Sequence, residues 1–276
     1  MRTAVVGHVE WVEFARVPRV PAAGEITFAR ESWEEPAGGG SVSAVQLAKL
    51  AGGCDFFTAV GGDDLGRRAV AALERLGLRV HAAVCDDAPT RRGFTFVDDA
   101  GERTITVIGD KLLPRGSHTL PWARLSEADA CFFIAGDAGA ATAARAARVL
   151  TASSREIPVL REAAVRLDAL IGSGTDPGER YEDGYLDPPP RLVVRTDGAA
   201  GGSWAAEERT GSWAAAEVRG PVADAYGCGD SFAAGLTYAL GRGDALEDAL
   251  ALAARCGAAC LTGRGPYARQ LVESGS

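Results

Sequence analysis

The chain has 276 residues, 47% of them hydrophobic, with a formal net charge of −8 and a pI near 5.1. This length fits one large domain with at most a small accessory element, and the apolar content supplies a sizeable core. The acidic balance argues against a nucleic-acid or anionic-membrane surface, so an anionic ligand would need local donors such as helix ends, together with magnesium.

The opening "MRTAVVGHVEW" is strand-like and has no long apolar stretch of the signal-peptide kind. Residues 12–36 hold prolines and a Gly-Glu turn between strand-like pieces, which predicts a small β excursion off the main sheet. A glycine run then leads into helical spacing over 41–51, and "DFFTAVGGDDLGRRAVAALERLGLRV" reads as strand, turn, helix, glycine stop and strand. Asp63 or Asp64 can cap that helix and Gly77 can close it, giving a βαβ unit and parallel strands.

"RGFTFVDDAGERTITVIG" alternates at period two on both sides of "DDAG", which predicts a hairpin. Short buried strands are predicted at "DACFFIAGD", "REIPVLREA", "LDALIGS" and "RLVVRTDG", with a strong helix near 139–151 and a Pro- and Asp-rich loop over 174–190. The last quarter reads as helix 230–240 stopped by Gly241, then helix 244–260 with Asp244 and Glu247 at capping-box spacing. The expected fold class is α/β, a three-layer α/β/α domain with a mostly parallel sheet, and no linker divides residues 1–276 into two domains.

The apolar run "ALEDALALAARCGAACL" is broken by Glu247, Asp248 and Arg255, so no segment reads as membrane-spanning and a cytoplasmic protein is expected. Six cysteines without a CxxC pair read as reduced and buried, and His8, His81 and His118 have no zinc-type spacing.

"DAYGCGDSFAAGL", residues 224–236, carries the strongest chemical signal. Glycines permit a tight turn close to a ligand, and the N–H groups of Cys228, Gly229, Asp230 and Ser231 would point out of a helix N-terminus, an anion nest. A carboxylate there repels an anion, but it makes sense if Asp230 takes the proton of an incoming hydroxyl while the amides stabilise a transferring phosphoryl group. The competing reading is that Asp230 only caps a helix.

Three weaker signals accompany it. Thr196, Gly198 and Gly201 form a T-x-G-x-x-G turn after an apolar strand, Gly38, Gly39 and Gly40 precede a helix, and Asp176 and Glu179 lie three apart past a strand end. Without GxxxxGK[ST] or an early GxGxxG, a P-loop is excluded and a dinucleotide fold disfavoured.

In this order the motifs resemble the ribokinase-like (PfkB) family of carbohydrate kinases over roughly residues 3 to 267. "DAYGCGDSFAAGL" is similar to the family's D-T-x-G-A-G-D signature, and "GGGSVSAVQLAKLAG" with the following G-D-D turn to its first signature. "TDGAAGG" is similar to its nucleotide turn, "DPGE" to N-x-x-E with Asp176 for asparagine, and "PAAGEI" to the lead into a β lid.

The resemblance implies ATP- and Mg²⁺-dependent transfer of a γ-phosphoryl group to a hydroxymethyl group. Asp230 would be the base and Gly227, Cys228 and Gly229 the anion hole, with Cys228 replacing the usual alanine. Its thiol sits where a helix N-terminus lowers thiol pKa values. Thr196, Gly198 and Gly201 would contact ATP, Glu179 and Asp176 the Mg²⁺–water shell, and Asp224 a monovalent cation such as K⁺. "GAACLTGRGP" lies where the family lines its adenine pocket. Strands of the lid at about 12–36 and part of 91–108 can pair two copies into a homodimer in this family.

The departures fall at the acceptor site. The first strand leads into "GHVEWVEF", with Glu10 near the family's asparagine and Val12 near its aspartate, and Val42 stands for a second asparagine. Gly38, Gly39, Gly40 and Glu10 are the expected substrate contacts. Trp11 and Trp33 would add aromatic surface suited to a base or ring, unless they pack in lid or core. A sugar kinase is expected, with a nucleoside kinase or a weakly catalytic sugar- or nucleotide-binding regulatory protein as alternatives.

Overall fold

A computed structural model describes residues 1–272. The strands are β1 (Thr3–Val6), β2 (Glu10–Arg16), β3 (Glu31–Ala37), β4 (Cys54–Gly61), β5 (Leu78–Cys85), β6 (Arg92–Val97), β7 (Arg103–Ile108), β8 (Ala130–Phe133), β9 (Val149–Ser153), β10 (Ala169–Ser173), β11 (Val193–Thr196), β12 (Gly202–Ala206) and β13 (Arg209–Trp213). The helices are α1 (Gly39–Ala51), α2 (Asp64–Arg75), α3 (Ala138–Ala144), α4 (Ile157–Ala163), α5 (Cys228–Arg242) and α6 (Leu246–Cys260).

Nine strands form the main sheet in the order β13-β12-β11-β10-β9-β8-β1-β4-β5, parallel from β11 to β5 and closed at one edge by the antiparallel β12 and β13. The central strands are apolar along their whole length because both faces are covered. Period-two alternation sorts their side chains into two cores: Val5, Phe56 and Phe132 pack against α1, α2, α5 and α6, whereas Ala4, Val6, Phe57 and Phe133 pack against α3 and α4. The expected three-layer α/β/α arrangement is therefore present.

β3-β2-β6-β7 form a second, four-stranded sheet. β2 pairs antiparallel with β3, with Phe14 opposite Trp33, and parallel with β6, while β6 and β7 make the expected hairpin. β7 is an edge strand whose six residues are all exposed.

Several boundaries differ from the sequence reading. Residues 155–163 are a short 3-10 turn and α4 rather than a strand, because Pro158 lies in the first turn, where its fixed φ favours helix. The helix near 139–151 ends at Ala144, and the β-branched Val149 and Thr151 join β9, paired on both sides. α5 passes Gly241 and is capped at Gly243 (φ 87°). The Asp244–Glu247 capping box does not form: Asp244 is held by Arg242 at 2.5 Å, and α6 starts after Ala245. Asp63 does cap α2, accepting from Gly66 N at 2.8 Å, and it also accepts from Thr90.

Candidate active site

β1 lies between β4 and β8, with β4 and β5 following on one side and β8 to β13 on the other, so the strand order reverses there, and ligand crevices of such sheets open at the carboxyl ends of the strands beside that point. Gly7 and His8 follow β1, and Ile134 follows β8. A Cβ on Gly7 would lie 2.7 Å from Ile134 Cγ2 and 2.8 Å from Gly40 Cα, so only glycine lets these backbones meet. α1 and α5 both begin at this crevice.

Gly227 caps α5 with φ 81°, a left-handed turn, and no side chain caps the first helical turn. The N–H groups of Cys228, Gly229 and Asp230 have no acceptor among the described residues, and they share the positive end of the helix dipole. Ser231 is excluded from the expected donor set, since its N–H donates to Gly227 O at 2.9 Å.

Asp230 sits half-buried in this turn. A Cβ on Gly39 would lie 2.7 Å from Asp230 Oδ1, so the first turn of α1 backs directly onto the carboxylate. Burial pushes the Asp230 carboxyl up to about 6, against the pull of Arg103. The two glycine segments are tied together: Gly38 N–H donates to Tyr226 Oη at 3.1 Å, and Ser43 Oγ donates to Asp230 O at 3.2 Å.

Asp224 is fully buried and accepts from Tyr226 N at 2.8 Å and Gly265 N at 3.1 Å. It clamps the α5 entry turn to the loop after α6. The neighbouring Cys260 thiol, then partial burial, pushes the Cys228 thiol up, against the expected helix-end effect. All six cysteines are free, four buried and Cys85 and Cys228 partly so.

Ser173 and Thr196 are register partners at the ends of β10 and β11, which places the Asp176–Glu179 turn beside the Thr196–Gly201 turn. Glu179 accepts from Ser173 N at 2.7 Å. Arg155 NH2 bridges Asp176 Oδ2 at 2.6 Å and Glu179 Oε1 at 2.5 Å. A backbone hydrogen bond from Gly178, then Arg155, holds the Asp176 carboxyl below its usual range. Gly201 has φ 91°, and a Cβ there would lie 2.0 Å from Trp213 O. Among the described residues no group of three or more His, Cys, Asp or Glu could hold a metal ion.

At the other end, Glu10 is buried and pairs with Arg91 at 3.1 Å, and it lies 3.6 Å from His8 Nε2. Gly38 abuts both, with His8 ring atoms 3.1 Å and Glu10 Cγ 3.3 Å from its Cβ position. Val42 does not take a substrate-facing place: it is fully buried, its Cγ1 2.8 Å from the Cβ position of Gly227. The tryptophans are packing residues. Trp11 donates to Glu34 at 3.1 Å under the Arg68 guanidinium, and Trp33 stacks on Phe14 at 4.9 Å and donates to Glu35.

Arg91, Lys111 and Arg155 escaped the sequence reading. They come from three remote segments, Arg91 pairing with Glu10, Lys111 with Glu156 and Arg155 with Asp176 and Glu179, and no spacing signals these pairings.

The pattern of the pfkB family carbohydrate kinases matches residues 2–170 and 186–271. The chain belongs to this family. Its kinase fold resembles that of the Thermotoga maritima ribokinase (21% identity, TM-score 0.77, 98% of this chain and 96% of that one). It also resembles the adenosine kinase of Sinorhizobium meliloti (19%, 0.77, 98% and 96%) and Arabidopsis thaliana ribokinase complexed with ribose and ATP (19%, 0.74, 97% and 95%). No curated protein sequence matches the chain. For a member of this kinase family, no described helix is long and apolar enough to cross a membrane.

Proposed function

We propose that this pfkB-family protein is an ATP- and Mg²⁺-dependent kinase that moves the γ-phosphoryl group to a hydroxymethyl group of a small carbohydrate-like acceptor, with Asp230 as base. The observation that carries this reading is the pairing of a carboxyl raised to about 6 with unbonded amides at the entrance of α5. A base with that value is ionised at neutral pH yet basic enough to take a hydroxyl proton as the O–P bond forms. The N–H groups of Cys228, Gly229 and Asp230 would donate to the phosphoryl oxygens, preorganised and needing no rearrangement.

The turn of Thr196, Gly198 and Gly201 would hold the nucleotide, a reading supported by the ATP in the Arabidopsis thaliana relative. Asp176 and Glu179 are hard oxygen donors that fit a magnesium ion brought in by the ATP phosphates and held through water. Bound there, the ion would neutralise charge on the phosphates. Arg155 would then have to share or release these carboxylates. Asp224 is read as the clamp of this turn, with a K⁺ beside it as the family resemblance implies.

The chain is read as one kinase domain with β2, β3, β6 and β7 as its lid. The exposed edge strand β7, with Ile105, Val107 and Ile108 41–43% exposed, supports a homodimer through that lid. Six free thiols support a cytoplasmic location. ADP release from Mg-ATP over a panel of sugars, sugar acids, polyols and nucleosides tests the activity. Acceptor-dependent release is expected, and a rate that never exceeds the ATP-only background contradicts the reading.

A further inference from the structure

The thiol of Cys228 has no part in the transfer described above, which uses only the N–H of that residue. It nonetheless has a partner. Cys260, the last residue of α6, is fully buried beside it. Both thiols reach carbonyls of the turn that leads into α5. Cys228 Sγ lies 3.9 Å from Asp224 O, and Cys260 Sγ lies 3.4 Å from Tyr226 O and 3.5 Å from Pro266 O. The two helices meet at the same place, since a Cβ on Gly257 would lie 3.3 Å from Cys228 O.

The surroundings of this pair are fixed on one side and open on the other. Leu261 O accepts from Ala223 N at 2.8 Å and from Asp224 N at 3.3 Å, and Asp224 Oδ2 accepts from Gly265 N at 3.1 Å. The segment before α5 is thereby bound to the end of α6. Beyond it the chain has room, because nothing lies within 4 Å of a Cβ on Gly229. A pull between the two sulfurs therefore falls on the head of α5. The sulfurs also differ in character: the Cys228 thiol holds Cys260 below the ordinary thiol range, whereas Cys228 itself is pushed up and is partly exposed.

We propose that Cys228 and Cys260 are a modification site, which a peroxide converts to a disulfide that displaces the head of α5 and stops turnover until a thiol reduces it. The effect on turnover rests on the kinase reading above. Peroxide meets the partly exposed Cys228 first. An S–O bond forms as the O–O bond breaks, one water leaves, and Cys228 becomes a sulfenic acid. The Cys260 sulfur then attacks the Cys228 sulfur. The S–S bond forms, the S–O bond breaks, and the Cys260 proton leaves with the hydroxyl as a second water. Two thiols have then given two electrons to one peroxide. The sulfurs end about 2.05 Å apart, closer than separate thiols approach, so the N–H groups of Cys228, Gly229 and Asp230 shift with the Cys228 backbone. In a reducing compartment such a bond is transient, as a sensor requires.

The test exposes the full chain to graded hydrogen peroxide. Peptide masses without reduction, hydrogen exchange of residues 224–236 and ADP release with the best acceptor are then measured. A cross-linked Cys228–Cys260 peptide is expected, with altered exchange in that segment and a kcat lowered about tenfold or more. Dithiothreitol should reverse all three. Cys260→Ala and Cys85→Ser are each compared with their own untreated rates; the first should lose the reversible inhibition and the second should keep it. If Cys260→Ala does not fold, the peptide masses and the exchange of the unaltered chain decide.

Absence of the Cys228–Cys260 peptide overturns the site. A cross-linked chain with unchanged exchange and undiminished turnover overturns the switch, as does equal reversible inhibition in Cys260→Ala. A chain that cross-links and changes its exchange, yet shows no acceptor-dependent ADP release before peroxide, contradicts the kinase reading and leaves the modification site standing.

Discussion

Gly39 and Asp230 are in contact: a methyl group on Gly39 would fall 2.7 Å from Asp230 Oδ1 and 2.6 Å from Ile134 Cδ1. The two residues are far apart in the chain, yet they fix each other at the crevice where α1 and α5 begin. The carboxylate can hold its place only because residue 39 has no side chain.

Gly39→Ala should therefore displace the carboxylate. The expected loss in kcat is roughly a hundredfold, the scale on which a misplaced group of about 1 Å acts. Overpacking adds a stability loss of about 1–3 kcal/mol. Steady-state kinetics with a thermal melt checks both, and wild-type kcat would show that the contact is irrelevant to the chemistry.

Residues 227 and 229 make a matched pair. Gly227 has φ 81°, with Val42 2.8 Å from its Cβ position, whereas nothing lies within 4 Å of a Cβ on Gly229. Gly227→Ala should lower Tm by several degrees, for a cost of about 1–3 kcal/mol, and Gly229→Ala should leave Tm unchanged. Equal melting of the two variants would contradict the turn geometry.

Tyr226→Phe removes the acceptor of the buried Gly38 N–H. An unsatisfied buried donor costs about 1–3 kcal/mol, so a denaturant titration should show a lower midpoint with an unchanged slope. An unchanged midpoint would mean that Gly38 finds another partner.

The pH profile follows from Asp230, raised to about 6 by burial. The base works only when ionised, so kcat/KM should fall as pH drops through about 6. The stability effect has the opposite sense. A carboxyl with a folded value above its unfolded value of 3.8 binds more protons when folded, so its contribution weakens as pH rises from about 4 to about 6 and then stays constant. Asp230→Asn should hence raise Tm at pH 7.5 and leave it near the wild-type value at pH 4. A raised Tm at both would assign the gain to something other than charge.

The sequence exposed what local chemistry controls. The continuous apolar runs of β1, β4 and β8 marked strands covered on both faces, and Asp63, Gly77 and the "DDAG" turn marked α2 and the lid hairpin. "DAYGCGD" disclosed the entry turn of α5 because a left-handed glycine and a following carboxylate are local demands. Tertiary pairing decided the rest. Val149–Ser153 became a strand only because β8 and β10 flank it, and Asp244 left its expected cap for Arg242. The pairings of Arg91 with Glu10 and of Arg155 with Asp176 and Glu179 are products of the fold and have no periodic trace.

The most direct test of the central claim is ADP release by Asp230→Asn beside the wild type, with the best acceptor and with ATP binding measured in parallel. The account predicts a loss in kcat of roughly a thousandfold, within the range for a positioned base, with ATP affinity unchanged. Turnover that survives the substitution would contradict the assignment of Asp230 as the base.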